Sequence, residues 1–182
     1  ANENNVQIHT ASDCNAPAGA PGTGTLFNDA GVPVSVVSNQ LNSFWAQAID
    51  PAGNISTCNP VIYVHDGVPP DSPTGLNTTP ATVGQSATPT VRGTIEPGTT
   101  GNLYTEFCDG GVLVASGNAD AFDAGFAVNV ALNAPTIFYA VAIDQAGNGS
   151  ACGSAATYTH DSVSPDAAVV LTNDHKRPLF TD

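Results

Sequence analysis

One stretch of this chain occurs twice, and that recurrence limits the possible folds more than any other feature. Phe44-Trp-Ala-Gln-Ala-Ile-Asp-Pro-Ala-Gly-Asn-Ile-Ser-Thr-Cys58 returns as Phe138-Tyr-Ala-Val-Ala-Ile-Asp-Gln-Ala-Gly-Asn-Gly-Ser-Ala-Cys152. The offset is 94 residues at both ends (138 − 44 and 152 − 58), and the leading cysteines keep it (108 − 14). Each copy alternates bulky and small positions and then runs into Asp-x-Ala-Gly-Asn. That pattern is a half-buried strand ending in a tight turn, with Gly and Asn at positive-φ positions. The chain therefore reads as a tandem repeat of one β-domain.

Further matches extend the repeat. Ile8-His9-Thr10 aligns with Leu103-Tyr104-Thr105, and Asp29-Ala-Gly-Val-Pro-Val-Ser-Val36 aligns with Asp123-Ala-Gly-Phe-Ala-Val-Asn-Val130. The second pair is expected to be a strand, with Val32, Val34 and Val36, or Phe126, Val128 and Val130, on an inward face. Each unit closes on Tyr63-Val-His-Asp66 or Tyr158-Thr-His-Asp161, followed by a proline-bearing linker, Gly67–Asp71 or Ser162–Asp166. Such linkers hold neighbouring domains semi-rigidly. Seven strands per complete unit at this spacing predict an all-β architecture of tandem, two-sheet Ig-like sandwiches, with one disulfide per repeat.

The two units are not equally complete. Between its linker and the equivalent of Ile8, the second unit has two opening strands, about Thr74–Thr78 and Thr88–Glu96, for which the first has no counterpart. The chain continues past the second unit, with Ser164-Pro165 resembling Ser72-Pro73 and Arg177-Pro178 falling where Thr88-Pro89 falls. The expected domains are therefore 1–66, lacking its first two strands; 67–161, complete; and 162–182, the first two strands of a further domain. A sandwich without two strands exposes its core and unpaired edges. A strand of this length spans roughly 30 Å, so a tail beyond an intact domain reaches a neighbouring copy more readily than its own first unit. Val169, Leu171, Leu179 and Phe180 are the apolar anchors expected in that tail. Strand addition between copies is heterologous and propagates into a filament. The alternative partner is a neighbouring repeat of one long covalent chain.

Charge and cysteine usage narrow the setting. The 182 residues carry 16 acids against three basic residues, a net charge of −13. Such a chain repels nucleic-acid backbones and anionic membrane surfaces, and it contains no apolar run long enough to span a bilayer. The four cysteines fall as one pair per repeat at equal spacing, which favours Cys14–Cys58 and Cys108–Cys152 disulfides in an oxidising compartment. A zinc site is the rival, without a CxxC or a nearby Cys/His cluster to support it. The chain begins at Ala1 with no signal sequence, and reads as a processed or excised segment of an exported precursor.

The Ala-Ile-Asp-x-Ala-Gly-Asn motif, the Asp-Ala-Gly-x-x-Val-x-Val segment and the Tyr-x-His-Asp ending together resemble bacterial Ig-like repeat domains. These occur in tandem in very large secreted surface and adhesin-type proteins. The resemblance covers nearly the whole chain, most weakly in the tail, and implies an arrayed structural spacer at the cell surface. In related repeats calcium at domain junctions stiffens the rod. Here Asp50, Asp66, Asp71, Asp144, Asp161 and Asp166 are the corresponding calcium candidates, although they are singly spaced and Asp also starts turns unaided. Because both second cysteines follow the turn, the disulfide is expected to pin one end of the sandwich, unlike the inter-sheet bridge of antibody domains.

No catalytic role emerges from the sequence. His65-Asp66 and His160-Asp161 place neighbouring side chains on opposite strand faces, and no Gly-x-Ser-x-Gly nucleophile motif accompanies them. Trp45 and Tyr139 share one repeat position and Phe44 and Phe138 the one before it, so one pair is core and the other faces outward. The expected function is a non-enzymatic structural unit of an extracellular bacterial fibre, joined head to tail and requiring no cofactor. The alternatives are an adhesin segment that binds a glycan or surface ligand, and accessory domains of a secreted enzyme.

Overall fold

The computed structural model describes residues 4–153 and 155–168. Of these, the residues up to Pro70 together with Ile143–Ser150 form one compact unit, and Asp71–Ala142 with the residues from Ala151 onward form a second.

In the first unit, the alternation of apolar side chains produces one antiparallel sheet. Its elements in chain order are β1 (Asn5–His9), β2 (Gly22–Thr23), a short helix α1 (Gly24–Asp29), β3 (Leu41–Ile49) and β4 (Asn59–Val64). The strands lie in the order β2-β1-β3-β4. Ile8 sits opposite Ala46, Phe44 opposite Val61 and Asn42 opposite Tyr63. With a side-chain period of two, Ile8, Phe44, Val61 and Tyr63 share one face. Ile8 and Phe44 are buried there, whereas every residue of β4 is exposed. Cys14 and Cys58 are bonded with Cα atoms 6.2 Å apart, tying the loop after β1 to the segment before β4.

The second unit is a sandwich of two sheets. Its strands are β5 (Thr74–Thr79), β6 (Val83–Gly84), β7 (Thr90–Thr94), β8 (Thr100–Thr105), β9 (Val112–Asn118), β10 (Phe126–Ala127), β11 (Pro135–Ile143) and β12 (Ala156–His160), with a helix α2 (Ala119–Ala124) between β9 and β10. One sheet has the order β10-β7-β5 and the other β6-β12-β11-β8-β9. Val91 of the smaller sheet and Leu103, Phe138 and Tyr158 of the larger meet in the core, where Ile95, Phe122 and Val128 join them. Phe138, Ala140 and Ala142 occupy the inward face of β11 and are fully buried. Tyr139 lies on the opposite face and stacks on Phe107, ring centroids 6.5 Å apart. The expected division of labour between Phe138 and Tyr139 is thus what the strand displays. Cys108 and Cys152 are bonded, Cα atoms 5.9 Å apart, and both lie outside the strands.

Three local expectations change. The sequence pattern did not reveal α1 and α2, which are too short for helical periodicity to show. Their signal is the N-cap: Thr23 Oγ1 accepts a hydrogen bond from the Leu26 amide at 3.1 Å, and Asn118 Oδ1 accepts one from the Ala121 amide at 3.0 Å. The strand expected over Asp123–Val130 is therefore shortened, since α2 runs to Ala124. Its inward face survives, because the amides of Val128 and Val130 donate to Pro89 O and Ala87 O, and Val128 is buried. The matching strand expected over Asp29–Val36 is absent: residues 31–37 have no strand structure. The physical reason is that no equivalent of β7 lies beside them among the described residues to complete a ladder.

Candidate functional site: an open groove in the first unit

Without a β7 equivalent among the described residues, the first unit has a hollow of about 490 Å³ lined by Ile8, Phe44, Val32, Val34, Val61 and Tyr63 among others. The walls are apolar on both sides because the repeat places inward-facing residues there. The second unit shows the same positions when covered. Tyr158, the counterpart of Tyr63, is 0% exposed and donates its hydroxyl hydrogen to Ser86 O at 3.0 Å, whereas Tyr63 is 50% exposed. Val128 is buried, while its counterpart Val34 is half-buried. In a soluble protein, contiguous exposed apolar surface of this kind marks a contact site.

The groove's open edge is ordered in advance. Buried Asn42 accepts the Val37 amide hydrogen at 2.6 Å through Oδ1 and donates through Nδ2 to Val37 O and Gln40 O, at 3.0 and 2.9 Å. This fixes the end of the 32–37 segment against β3, and residues 32–36 make no backbone–backbone hydrogen bond among the described residues. Polar satisfaction at a buried Asn is worth most when every group is used, as here.

The two Asp-x-Ala-Gly-Asn turns are rigid clasps built alike. Asp50 accepts the Asn54 amide at Oδ1 and the Asn54 side-chain Nδ2 at Oδ2, both at 2.8 Å. Asp144 does the same with Asn148, at 2.8 and 2.9 Å. Gly53 and Gly147 supply the positive φ, +87° and +91°, a conformation costly for any residue with a Cβ. The sequence expectation that Asn shares this role is corrected: Asn acts through its side chain, as the donor that holds the carboxylate. Those side-chain hydrogen bonds are the first cause that holds the Asp50 and Asp144 carboxyls below their ordinary value of 3.8. A depressed carboxyl contributes stability that is complete above the ordinary value and is lost as the pH falls through the lower folded one. Acid unfolding curves compared at pH 5 and pH 3 should therefore show a loss that Asp144→Asn partly removes. An identical pH dependence in that variant would contradict the assignment.

The recurring histidines hold the unit ends. His65 Nδ1 accepts the Asn39 amide hydrogen at 3.1 Å, and His160 Nδ1 accepts that of Asn133 at 2.9 Å. Both asparagines lie at positive φ, +56° and +52°. Their Oδ1 atoms in turn accept the first linker amides, Gly67 at 2.7 Å and Ser162 at 2.9 Å. Asp66 and Asp161 accept the amides of Val68 and Val163, at 3.0 and 2.9 Å. Asn39 and Asn133 went unnoticed in the sequence, although they too are 94 apart (133 − 39). His9 is different: it is buried, and neither ring nitrogen has a hydrogen-bond partner among the described residues.

The calcium candidates are thus scattered. Asp50 and Asp144 serve turns and Asp66 and Asp161 cap linkers, while the Asp71 backbone amide bonds Glu96 Oε2 at 3.0 Å and Asp166 is exposed. Among the described residues no group of three or more His, Cys, Asp or Glu side chains is arranged to hold a metal ion. The tail anchors Val169, Leu171, Leu179 and Phe180 lie outside the described residues. Among those residues no helix is long and apolar enough to cross a membrane.

No protein-family model and no curated protein matches the chain. Solved structures do. The chicken CNTN1 FN1–FN3 domains are 11% identical, with a TM-score of 0.52, over 86% of this chain and 55% of that one. The fibronectin(III)-like modules of Clostridium thermocellum CbhA are 13% identical, with a TM-score of 0.50, over 91% and 83%. The fold is an Ig/fibronectin-III-like β-sandwich. The BSP domain of a biofilm-associated protein is 20% identical over 91% of this chain, with a TM-score of 0.35. The chain spans 26% of the length of that solved BSP-domain chain and about half of the CNTN1 segment.

Proposed function

We propose that this Ig-like pair is a structural repeat unit of an extracellular bacterial fibre, assembled head to tail, in which the C-terminal strands of one copy complete the first unit of the next. The observation that carries the reading is the contrast between twin units: one groove is filled by β5 and β7, and its counterpart is open, apolar and edged by a segment, 32–36, without backbone partners among the described residues. Two disulfides fit an oxidising, extracellular setting. The role is mechanical and non-enzymatic: disulfide-pinned sandwiches, clasped turns and capped linkers resist extension. Non-reducing, denaturing mass determination of the isolated material, with negative-stain imaging of the same sample, tests it. Filaments that resolve into the 18.3 kDa chain are expected. A mass many times larger would make the neighbours repeats of one covalent chain, and compact particles alone would refute the fibre.

A second reading, a module that binds a glycan or surface ligand, has one observation in its favour. A hollow of about 500 Å³ in the second unit is lined by the stacked pair Phe107 and Tyr139 together with Glu106 and Asn129. Binding to a glycan panel that Phe107→Ala abolishes would establish it.

A further inference from the structure

We infer that the strand entering the groove has one register, in which Phe180 of a second copy takes the place of Val91, Leu171 takes that of Leu76, and Leu179 faces outward. This rests on the head-to-tail reading and deepens it to named contacts.

The second unit supplies the template. Val91 pairs with Phe126 and Thr90 with Ala127 across β7 and β10, while Thr78 pairs with Val91 across β5 and β7. Val91 is buried in the core and Leu76 packs against it. The linker clasps fix how the tail corresponds to that template. Asp66 and Val68 repeat as Asp161 and Val163 with the same hydrogen bond. Their offset of 95 (161 − 66 and 163 − 68) also relates Asp71 to Asp166 and Leu76 to Leu171. This supersedes the Ser164-Pro165 match to Ser72-Pro73, which would put Leu171 at the position of Thr79. In the returning strand, Pro178 corresponds to Pro89, which places Leu179 at Thr90 and Phe180 at Val91.

The receiving edge fits that register. Transferred by the 94-residue offset, the acceptor for the Val34 amide becomes Pro178 O, as Pro89 O serves Val128. Pro33, the residue just before that donor, has no N–H to offer. In this register that position points away from the incoming strand, so nothing is lost. A slip of one residue would place Leu179 inward and Phe180 in solvent. The tail is also six residues shorter between its two anchors than the template (91 − 76 against 180 − 171), so it carries no counterpart of β6. A phenylalanine replacing a valine suits a groove whose own wall has Val32 where the second unit has Phe126.

Three variants of the full chain test this by filament yield and non-reducing gel. Phe180→Asp should lower assembly at least about tenfold, since a carboxylate is forced into an apolar site. Leu179→Asp should assemble as the parent chain does. Pro33→Cys combined with Leu179→Cys should cross-link copies into a ladder, because directly opposed residues lie within disulfide reach. An unchanged thermal midpoint for Phe180→Asp shows that its own units remain folded; the cross-link stands independently of that variant. Assembly blocked by Leu179→Asp and tolerated by Phe180→Asp, with no ladder, would overturn the register and leave head-to-tail assembly intact. Filaments indifferent to both substitutions, or a parent chain that stays monomeric, would overturn the assembly reading itself.

Discussion

Phe138→Ala is expected to lower the stability of the second unit by about 3–5 kcal/mol, the usual cost of emptying a well-packed aromatic site. The Phe138 side chain is fully buried between Leu103, Val91 and Tyr158 in a core closed by both sheets. The informative comparison is Phe44→Ala at the same repeat position. Phe44 is buried but borders the open hollow, so truncating it in the unassembled chain removes fewer contacts and costs less. Once the groove is filled, the two costs should converge. Chemical denaturation of both variants, before and after assembly, measures that convergence. Equal losses in the unassembled chain would mean that the first unit is already closed.

Removal of the Cys108–Cys152 bridge by paired serine substitutions should cost the second unit about 4 kcal/mol in the loop-closure picture. The bridge spans 44 residues of sequence, long enough to restrict the unfolded chain strongly. The equivalent bridge Cys14–Cys58 spans the same 44 residues but staples a single sheet. A similar loss there should unfold the first unit outright under conditions the second survives. Differential scanning calorimetry of the two double variants reads both effects. A loss below about 1 kcal/mol in either would show that the unfolded chain already holds those loops closed.

Much of this architecture is legible in the sequence because it rests on period-two burial and on repetition. Phe44 and Phe138 declare their inward face by alternation, and the cysteines their pairing by equal spacing. The short helices, the Asn54 and Asn148 clamps and the Asn39 and Asn133 clasps rest instead on single side-chain hydrogen bonds, which leave no periodic trace. The 32–36 segment shows another limit. Its pattern is that of an inward-facing strand, but strand structure needs a partner backbone, and pattern alone does not supply one. The open groove follows from the missing strands seen in the repeat alignment; its preordered edge at Asn42 does not.

Hydrogen exchange at the groove edge, read in dissociated and assembled protein, tests the head-to-tail completion most directly. Val128 and Val130 already donate into the β7 side of a closed sandwich and should be protected in both states. Val34 should exchange freely in the dissociated chain and reach comparable protection in the fibre. Fibres in which that amide exchanges as fast as in the free chain would mean that no strand enters the groove.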